Sequence, residues 1–394
     1  MKIEEIQIKN YRAFKNAILR DIPDMCIITG ANGTGKSTLF DIFTFLRDSL
    51  THNVSQALSK RGGFKEVLSR GQDGRIEIKI KFRESAKSPL VTYELQIGQE
   101  EGRAIVEREI LKFRRGTKGQ PWHFLDFSRG IGSAITNEDE YNATNTHASM
   151  QREEQSLDAP DILAIKGLGQ FKKFKAVSEF RRLVEQWHIS DFHIQEARPS
   201  QEIGYAEHLS THGENLSQVA QYLHENHPEE FQAILDAMSH RVPGVSNVQA
   251  QTTVDGRIVL QFQDGSFKDP FIARYVSDGT IKMFAYLVLL HDPKPFSLLA
   301  VEEPENQLYP KLLWELAEEF RSYTQRGGQV FISTHSPDFL NAATIDEVYW
   351  LVKENGYTVI KRAKDDPQLV AFMDEGDQMG YLWKQGFFEG IDPQ

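Results

Sequence analysis

Alternating apolar and polar residues near the start of the chain predict β-strands. The isoleucines of MKIEEIQIKN (1–10) mark an opening strand, and RIEIKIKF (75–82) and VTYELQI (91–97) alternate strictly. A further segment, IVEREILKF, follows from residue 105. Because alternation places one face of a strand against a core and the other in water, these segments predict an antiparallel, half-solvated sheet.

Two shorter segments are apolar without alternation. MCIIT (25–29) and LLAV (298–301) are bounded by breaks, which is typical of strands buried on both faces. The first runs into a glycine-rich turn and then an apolar pattern of helical spacing over 39–46. From residue 296 the chain alternates strand, helix and strand in FSLLAV, KLLWELAEEFRSY and QVFIS. This order predicts a βαβ unit and therefore a parallel sheet.

The middle of the chain has a different character. Residues 114–160 are polar and rich in Gly, Asn, Asp and Ser, which predicts irregular structure. Residues 168–240 have helical periodicity, as in FKAVSEFRRLVEQW and HPEEFQAILDAM. VQAQTTV and RIVLQF follow on either side of a DG turn and predict a hairpin.

Composition narrows the class of protein. The 394 residues are 40% hydrophobic and 26% charged, enough for a full-sized core and two lobes. The net charge of −11 leaves no general basic field, so DNA binding would need a local patch. The single cysteine, Cys26, excludes an intramolecular disulfide and favours a reducing cytoplasm, where it serves as a small core residue. The longest apolar run, FAYLVLL (284–290), is far shorter than the ~20 residues of a membrane span, and the N-terminus does not read as a signal peptide.

The glycine-rich turn carries the clearest chemistry. GANGTGKS (30–37) is a complete G-x-x-x-x-G-K-[ST] motif between a predicted strand and a predicted helix. Its glycines let backbone amides surround phosphates, Lys36 would contact the β- and γ-phosphates, and Ser37 would complete Mg²⁺ coordination. A chance glycine turn before a helix is the alternative. The full motif in this context favours nucleotide binding.

Acids follow the second buried strand. In LLAVEEPENQLYP, Glu302 is a candidate for holding Mg²⁺ and Glu303 for polarising an attacking water as general base. Taken alone, the pair could equally be a solvated strand end. The phosphate-binding motif in the same chain favours the catalytic interpretation, while Glu305 has no firm role in it.

Two further polar turns complete the candidate site. His335 follows the strand QVFIS, and the C-terminal ends of neighbouring parallel strands meet at one crevice, where it would contact the γ-phosphate or the water. Ser277 and Gly279 precede an apolar helix whose free N-terminus could bind phosphate. The alternatives are a surface histidine and an ordinary helix N-cap.

The order of these motifs resembles the heads of ABC-type ATPases, and most closely their SMC/RecF/OLD-like branch. YVSDGTIK, EEPENQLYP and STHSPDFL look like the ATPases of bacterial defence and DNA-maintenance loci, and NYRAF (10–14) resembles an N-F-R-S-F element. The resemblance implies an α/β head with a P-loop parallel sheet, an antiparallel β subdomain and a helical insertion lobe. It divides the chain into an N-terminal part of the head (1–130), an irregular and helical insertion (131–245) and a C-terminal part of the head (246–394).

Carried over position by position, the resemblance also implies roles. Glu302 and Ser37 would bind Mg²⁺, Glu303 would be the base, and His335 and Lys36 would act with it. Pro304 to Gln307 would lie at a dimer contact. ATP would be bound by Arg12, by residues of the motif and, from a second chain, by the signature turn: Gly30, Asn32, Gly33, Thr34, Gly35, Lys36, Ser37, Thr38, Ser277 and Gly279.

The chain departs from the pattern at several positions. ABC transporters have aspartate where this chain has Glu302, and the signature is VSDGT rather than LSGGQ. Tyr309 stands where this branch has a histidine, and Gln56 and Gln72 are both possible for the glutamine loop.

From the resemblance we expect a homodimeric Mg²⁺-dependent ATPase that controls a separate effector, such as a nuclease, or acts on DNA. The ATP-binding subunit of a transporter, a RecF-like repair ATPase and a scaffold that binds ATP without turnover are the alternatives.

Partner surfaces are less defined. The only concentrated basic stretches are KFRRGTKGQPW (112–122) and FKKFKAVSEFRR (171–182), which would bind DNA or form solvated faces. The aromatic tail MGYLWKQGFFEG (379–390) is either a closing helix packed on the core or a docking element.

Overall fold

The protein is described here by a computed structural model of residues 1–85, 88–113, 122–137 and 151–390. Three β-sheets and thirteen α-helices are formed by these residues. The α/β architecture confirms the predicted fold class. Most of the basic stretch at 112–122 lies outside the described residues.

The first sheet is antiparallel throughout. Its spatial order is β2-β1-β4-β5-β6-β7-β8-β9. The strands are β1 (Lys2–Tyr11), β2 (Phe14–Arg20), β4 (Ile76–Arg83), β5 (Val91–Glu100), β6 (Arg103–Phe113), β7 (Trp122–Ser128), β8 (Ile131–Ile135) and β9 (Arg152–Ser156). Every second residue of β4 is buried, as the alternation predicted.

The expectation of irregular structure over 114–160 was wrong for part of that segment. β7, β8 and β9 extend the antiparallel sheet there. β9 reads REEQS and lies at the sheet edge with none of its residues fully buried, so it has no apolar face to reveal it. Its pairing uses backbone groups, which every residue supplies.

The second sheet holds the two buried apolar segments. Its order is β10-β15-β16-β3-β17-β18, parallel except for β18. The strands are β3 (Met25–Gly30), β10 (Trp187–Ser190), β15 (Leu298–Glu302), β16 (Gln329–Ser333), β17 (Val348–Glu354) and β18 (Tyr357–Arg362). Leu298 and Ala300 pack into one core, and Leu299 and Val301 pack into another on the opposite face. Burial on both faces explains the uninterrupted apolar runs.

The strand β10 was missed by periodicity. FKAVSEFRRLVEQW predicted a single helix, but the helix ends at Glu185 and Trp187 begins an edge strand of the parallel sheet. The WHIS sequence is fully buried and too short to distinguish a strand from the end of a helix. Pairing with β15 decides the outcome.

The third sheet and most helices cover one face of the parallel sheet. The small sheet contains β11 (Gln201–Glu202), β12 (Val245–Thr252), β13 (Arg257–Asp264) and β14 (Phe271–Ile272), of which β12 and β13 form the predicted hairpin. The helices are α1 (Lys36–Thr51), α2 (Val54–Ser59), α3 (Phe64–Val67), α4 (Ala164–Leu168), α5 (Lys175–Glu185), α6 (Ile194–Ala197), α7 (Leu216–Asn226), α8 (Pro228–Arg241), α9 (Asp278–Leu290), α10 (Pro310–Gln325), α11 (Pro337–Leu340), α12 (Pro367–Asp374) and α13 (Met379–Lys384). None that the described residues form is long and apolar enough for a membrane span.

The aromatic tail is packed on the core. Met379, Leu382 and Phe388 are buried, and the Phe388 ring lies 5.3 Å from that of Trp350. A methyl group on Gly380 would approach the Pro337 carbonyl oxygen to 1.9 Å, so α13 lies directly against α11. The tail therefore closes the core, as the simpler of the two interpretations predicted.

A buried acid links the antiparallel sheet to α4. Glu109 of β6 accepts hydrogen bonds from the Tyr93 hydroxyl and from the backbone amides of Ala164 and Ile165. These donors lower the pKa of Glu109, but burial outweighs them and raises it from 4.5 to about 7. Glu109 therefore binds a proton more tightly in the folded chain than in the unfolded chain.

This proton affinity makes stability depend on pH. As pH rises from about 4.5 to 7, the unfolded chain loses the Glu109 proton first, so the free energy of unfolding falls by about 3 kcal/mol. Glu109→Gln cannot titrate, and its unfolding free energy should fall less between pH 5 and pH 8. Urea unfolding of both proteins at the two pH values measures the difference. Parallel pH profiles would contradict this assignment.

Candidate active site

The C-terminal ends of four parallel strands bring the predicted polar residues to one edge of the sheet. β3 ends in the glycine-rich loop, β15 in Glu302, β16 in Ser333 and β10 in Ser190. Glu302 pairs in register with Ser333, and Ser190 pairs with Val301. The crevice predicted from the βαβ pattern therefore lies at this edge.

Backbone geometry of the loop at 30–37 requires its glycines. Gly30, Gly33 and Gly35 have φ of 154°, 78° and 104°. A Cβ on Gly30 would lie 2.7 Å from the Thr34 hydroxyl and 2.8 Å from the Leu351 carbonyl oxygen. Nothing lies within 4 Å of a Cβ on Gly33, and Asn32 beside it is exposed, so the crown of the loop is open. Such a loop can surround an anion with backbone amides.

Lys36 lies beneath this crown at the start of α1. Its ammonium group donates to the carbonyl oxygens of Gly30 (2.7 Å) and Ala31 (3.3 Å), and only 8% of the residue is exposed. Burial lowers the pKa of Lys36, and the nearby carboxylates of Glu303, Glu305 and Glu302 oppose that shift. The loop therefore holds a cation in electrostatic contact with the acid cluster.

The NYRAF turn lies against the same loop. A Cβ on Gly35 would be 3.4 Å from the Ala13 side chain, and the Thr358 hydroxyl donates to the Thr34 carbonyl oxygen at 2.6 Å. Arg12 forms an ion pair of 3.0 Å with Asp41 of α1 and has a left-handed φ of 48°. Arg12 is thus paired to the helix that follows the loop, and Thr38 lies in the first turn of the same helix.

Glu302 lies beside the loop hydroxyl that was predicted to share its metal ion. Burial raises the pKa of Glu302, the nearby Ser37 hydroxyl lowers it, and the neighbouring carboxylates of Asp191 and Glu303 raise it further. A buried carboxylate among like charges is a position where a bound cation would be favourable.

Glu303 is held in an uncommon backbone conformation. Its φ is 43°, in the left-handed region, and its amide donates to the Ser333 carbonyl oxygen at 2.9 Å. One carboxylate oxygen accepts from Asn306 (3.0 Å) and the other lies 3.2 Å from Nδ1 of His335. Neighbouring structure imposes this conformation and joins Glu303 to the half-exposed His335.

Glu305 faces the interior, although the sequence placed it at a dimer contact. One of its oxygens accepts from the Thr334 hydroxyl (2.7 Å) and from the His335 amide (3.0 Å), and 8% of the residue is exposed. Among the described residues, none donates to its other oxygen. Glu305 therefore fixes the turn that presents His335. Its three-residue spacing from Glu302 gave no indication of this role.

Asp191 is a site residue that sequence reasoning missed. It follows β10, and its charge acts on both Glu302 and Lys282. Of the two candidates for the glutamine loop, Gln56 lies in α2 and Gln72 donates to the Tyr357 hydroxyl. Asp191, which follows β10 beside β15, is thus the polar residue near the acid cluster, rather than either glutamine. Recognising β10 as a strand would have revealed it.

The signature turn is fixed by partners from elsewhere in the chain. Ser277 caps α9 by accepting from the Thr280 amide (3.2 Å), and Asp278 forms an ion pair with Arg198. A Cβ on Gly279 would lie 2.7 Å from the Gln307 carbonyl oxygen. No hydrogen bond or ion pair found in the described ranges joins this turn to the loop at 30–37.

One turn into α9, Lys282 is buried and faces the acids. Burial lowers the pKa of Lys282 to about 8, and the charges of Glu305, Asp191 and Glu303 oppose the shift. The structure therefore brings together Lys36, Ser37, Glu302, Glu303 and His335. It leaves Ser277 and Gly279 on a separate turn of the same chain.

The chain is similar to known proteins in sequence profile and in fold. The sequence profile of a family described as "AAA domain, putative AbiEii toxin, Type IV TA system" matches residues 25–341. No curated protein matches the chain. The solved structure of an SmcHead bound to the C-winged helix domain of ScpA matches with 12% identity, 92% of this chain, 98% of that chain and a TM-score of 0.55.

Two other head domains match less closely. The SMC head domain from Thermotoga maritima has 12% identity, covers 92% of this chain and 99% of its own, and has a TM-score of 0.48. The third match is the Smc head domain with an extended coiled coil bound to the C-terminal domain of ScpA, derived from Pyrococcus furiosus. It has 14% identity, covers 94% of this chain and 99% of its own, and has a TM-score of 0.49. Of these three matches, the one with a TM-score of 0.55 establishes the shared fold. Since the family profile spans most of the sequence, the chain belongs to this AAA domain family, and its fold is that of an SMC head domain.

Proposed function

We propose that the protein hydrolyses ATP with Mg²⁺ at the crevice formed by the glycine-rich loop and the acids after β15. The observation that carries the proposal is the arrangement around Lys36. Its buried ammonium is held at the loop by the carbonyl oxygens of Gly30 and Ala31, and the charges of Glu302, Glu303 and Glu305 act on it, while the Ser37 hydroxyl acts on Glu302. Phosphoryl transfer uses a loop and a lysine that bind the phosphates, together with acids that hold Mg²⁺ and orient the attacking water.

The residues present fit both ATP and its metal ion. Gly33 and Asn32 are exposed at the open crown, where phosphates would meet backbone amides. Arg12 beside the loop would add positive charge. Magnesium, held by Ser37 and Glu302, would neutralise charge on the phosphates. Lys36 would exchange its two carbonyl partners for phosphate oxygens.

Glu303 and His335 are the residues proposed to handle water. The carboxylate of Glu303 would accept a hydrogen bond from the attacking water and orient it, because it is fixed by Asn306 and by its backbone amide. His335, whose Nδ1 lies 3.2 Å from Glu303, would hydrogen-bond to the attacking water or to the departing phosphate. Glu305 would act indirectly by positioning the His335 backbone.

We further propose that two chains complete each other's sites. The support is that Ser277 and Gly279 are anchored by Thr280 and by the loop containing Gln307 rather than by the P-loop of their own chain. The exposed Tyr275 and Tyr309, with 73% and 65% of their surface accessible, lie next to these elements in sequence and offer apolar contact area. Phosphoryl transfer depends on positioning, so an isolated chain should be slow.

Complementation tests the shared site. Glu303→Gln and Ser277→Arg should each be inactive alone, since one lacks the base and the other blocks the signature turn. Mixed, they should recover activity, because one site then combines an intact base with an intact signature. The measurement is phosphate release against total protein concentration for each variant alone and for their equimolar mixture, with Glu229→Gln assayed separately as a control that should match wild type. A rate independent of concentration, with no recovery in the mixture, would refute the dimer.

We propose that the protein controls a separate effector in phage defence or DNA maintenance, and that it acts in the cytoplasm. The family's description as an AAA domain and AbiEii-type toxin of a Type IV TA system supports the role, and the free, buried Cys26 supports a reducing compartment. The SmcHead structure is bound to ScpA, which makes a separate protein partner the favoured class here. Direct action on DNA has weaker support, because Phe174 and Phe180 of the basic stretch are buried and Lys173 pairs with Glu153.

A further inference from the structure

Beside the acid cluster, two segments form a second group of polar side chains. The chain after β10 and the chain before α7 are joined by backbone hydrogen bonds, from the Asp191 amide to Thr211 (2.9 Å) and from the His193 amide to His212 (3.2 Å). Phe192 between them is buried. The backbone of this group is therefore well fixed, while its polar side chains reach solvent.

Three of these side chains offer metal-binding atoms to one point. Asp191, His193 and His212 each present one ligand atom, and the three atoms lie within 4.8 Å of one another. Nε2 of His193 is 3.3 Å from a carboxylate oxygen of Asp191. The two imidazole rings stack with centroids 4.5 Å apart.

The second nitrogen of each imidazole has its own acceptor. Nδ1 of His193 lies 3.2 Å from a Glu196 carboxylate oxygen, and Nδ1 of His212 lies 3.0 Å from the Asp191 carbonyl oxygen. A metal-binding histidine characteristically donates its remaining N–H to a carboxylate or backbone carbonyl, which fixes the tautomer and leaves the other nitrogen as ligand. Both histidines have this arrangement, and Nε2 of His193 lies next to the carboxylate of Asp191, the third residue of the group.

An ion pair without metal explains only part of this geometry. A protonated His193 between Asp191 and Glu196 would account for its own two contacts. It would not account for His212, which turns Nδ1 to a backbone carbonyl and stacks on the other ring. Two oriented imidazoles and one carboxylate are the donor set of a site with open coordination positions.

We propose that Asp191, His193 and His212 bind a divalent transition-metal ion of the zinc or cobalt class. The two rings, now inclined by 14°, would open away from each other so that both Nε2 atoms point at the ion. Imidazole donors favour these ions over Mg²⁺, so the site differs in chemistry from the oxygen ligands proposed at Ser37 and Glu302. Ser190 pairs with Val301, so Asp191 and Glu302 follow neighbouring strands, and the metal would lie on the side of the sheet edge that holds the hydrolytic site.

Cobalt titration without nucleotide tests this site independently of ATP hydrolysis. The full-length protein should bind one Co²⁺ per chain, seen as visible d–d absorption and by equilibrium dialysis, and Zn²⁺ should displace it. His193→Ala and His212→Ala should each weaken binding at least ~10-fold, and Glu196→Ala about 10-fold through loss of the Nδ1 acceptor. Thermal unfolding of each apo variant checks that it folds.

Two controls separate this site from other binding. The chain has 12 histidines, so His240→Ala, whose Nδ1 also faces a backbone carbonyl, should leave Co²⁺ affinity unchanged. Glu302→Gln removes a proposed Mg²⁺ ligand, and it should leave the Co²⁺ affinity within a few-fold of the wild-type value. Absence of stoichiometric binding, equal affinity in His193→Ala and wild type, or loss only in Glu302→Gln would each overturn the proposal.

Discussion

Replacing Glu303 with glutamine should lower ATP turnover at least ~100-fold while leaving ATP bound. Glutamine keeps the volume of the side chain and the oxygen that accepts from Asn306, but it cannot accept a proton. Lys36 and the loop at 30–37 are unchanged, so the phosphates should still bind. The measurements are phosphate release at saturating ATP and nucleotide affinity by calorimetry.

The same variant separates hydrolysis from assembly. If two chains enclose ATP, Glu303→Gln should accumulate as an ATP-bound dimer by light scattering, since the step that dissolves the dimer is blocked. Glu229→Gln, an exposed acid in the first turn of α8, is the matched control and should behave as wild type. Turnover within a few-fold of wild type would remove Glu303 as the general base.

Replacing Lys36 with methionine should weaken ATP binding by roughly 10- to 100-fold, because it removes charge-assisted contacts to phosphate. Methionine approximates the length of the lysine stem and can fill the same buried space. The carbonyl oxygens of Gly30 and Ala31 lose their ammonium donor, and the three nearby glutamates lose a compensating charge. Calorimetric titration with ATP and Mg²⁺ measures the loss.

Two comparisons make the Lys36 result specific. Lys172→Met changes an exposed lysine of the basic stretch and should leave ATP affinity unaltered. Circular dichroism establishes that Lys36→Met is folded before its affinity is interpreted. Wild-type affinity in the folded variant would contradict phosphate binding at the loop. Glu303→Gln and Lys36→Met should differ in nucleotide affinity, since the first is expected to retain ATP and the second to bind it weakly.

The sequence by itself determined many of the elements and most of the residues considered for the site. GANGTGKS identified its turn because backbone conformation there depends on glycine, which is a local property. LLAV and MCIIT identified buried strands, and the βαβ order placed Glu302 and His335 at one edge of the sheet. These inferences needed only local patterns and one general rule of topology.

Only the tertiary structure decided which distant groups meet. WHIS became a strand because β15 offered a partner edge, and this brought Asp191 to Glu302 across more than one hundred residues of sequence. Glu305 turned inward to Thr334, and Arg198 paired with Asp278, through contacts that no periodicity encodes. The left-handed φ of Glu303 likewise follows from its bond to Ser333 on the next strand. Local sequence specifies what each segment prefers, whereas the pKa and orientation of a side chain depend on the groups that packing places around it.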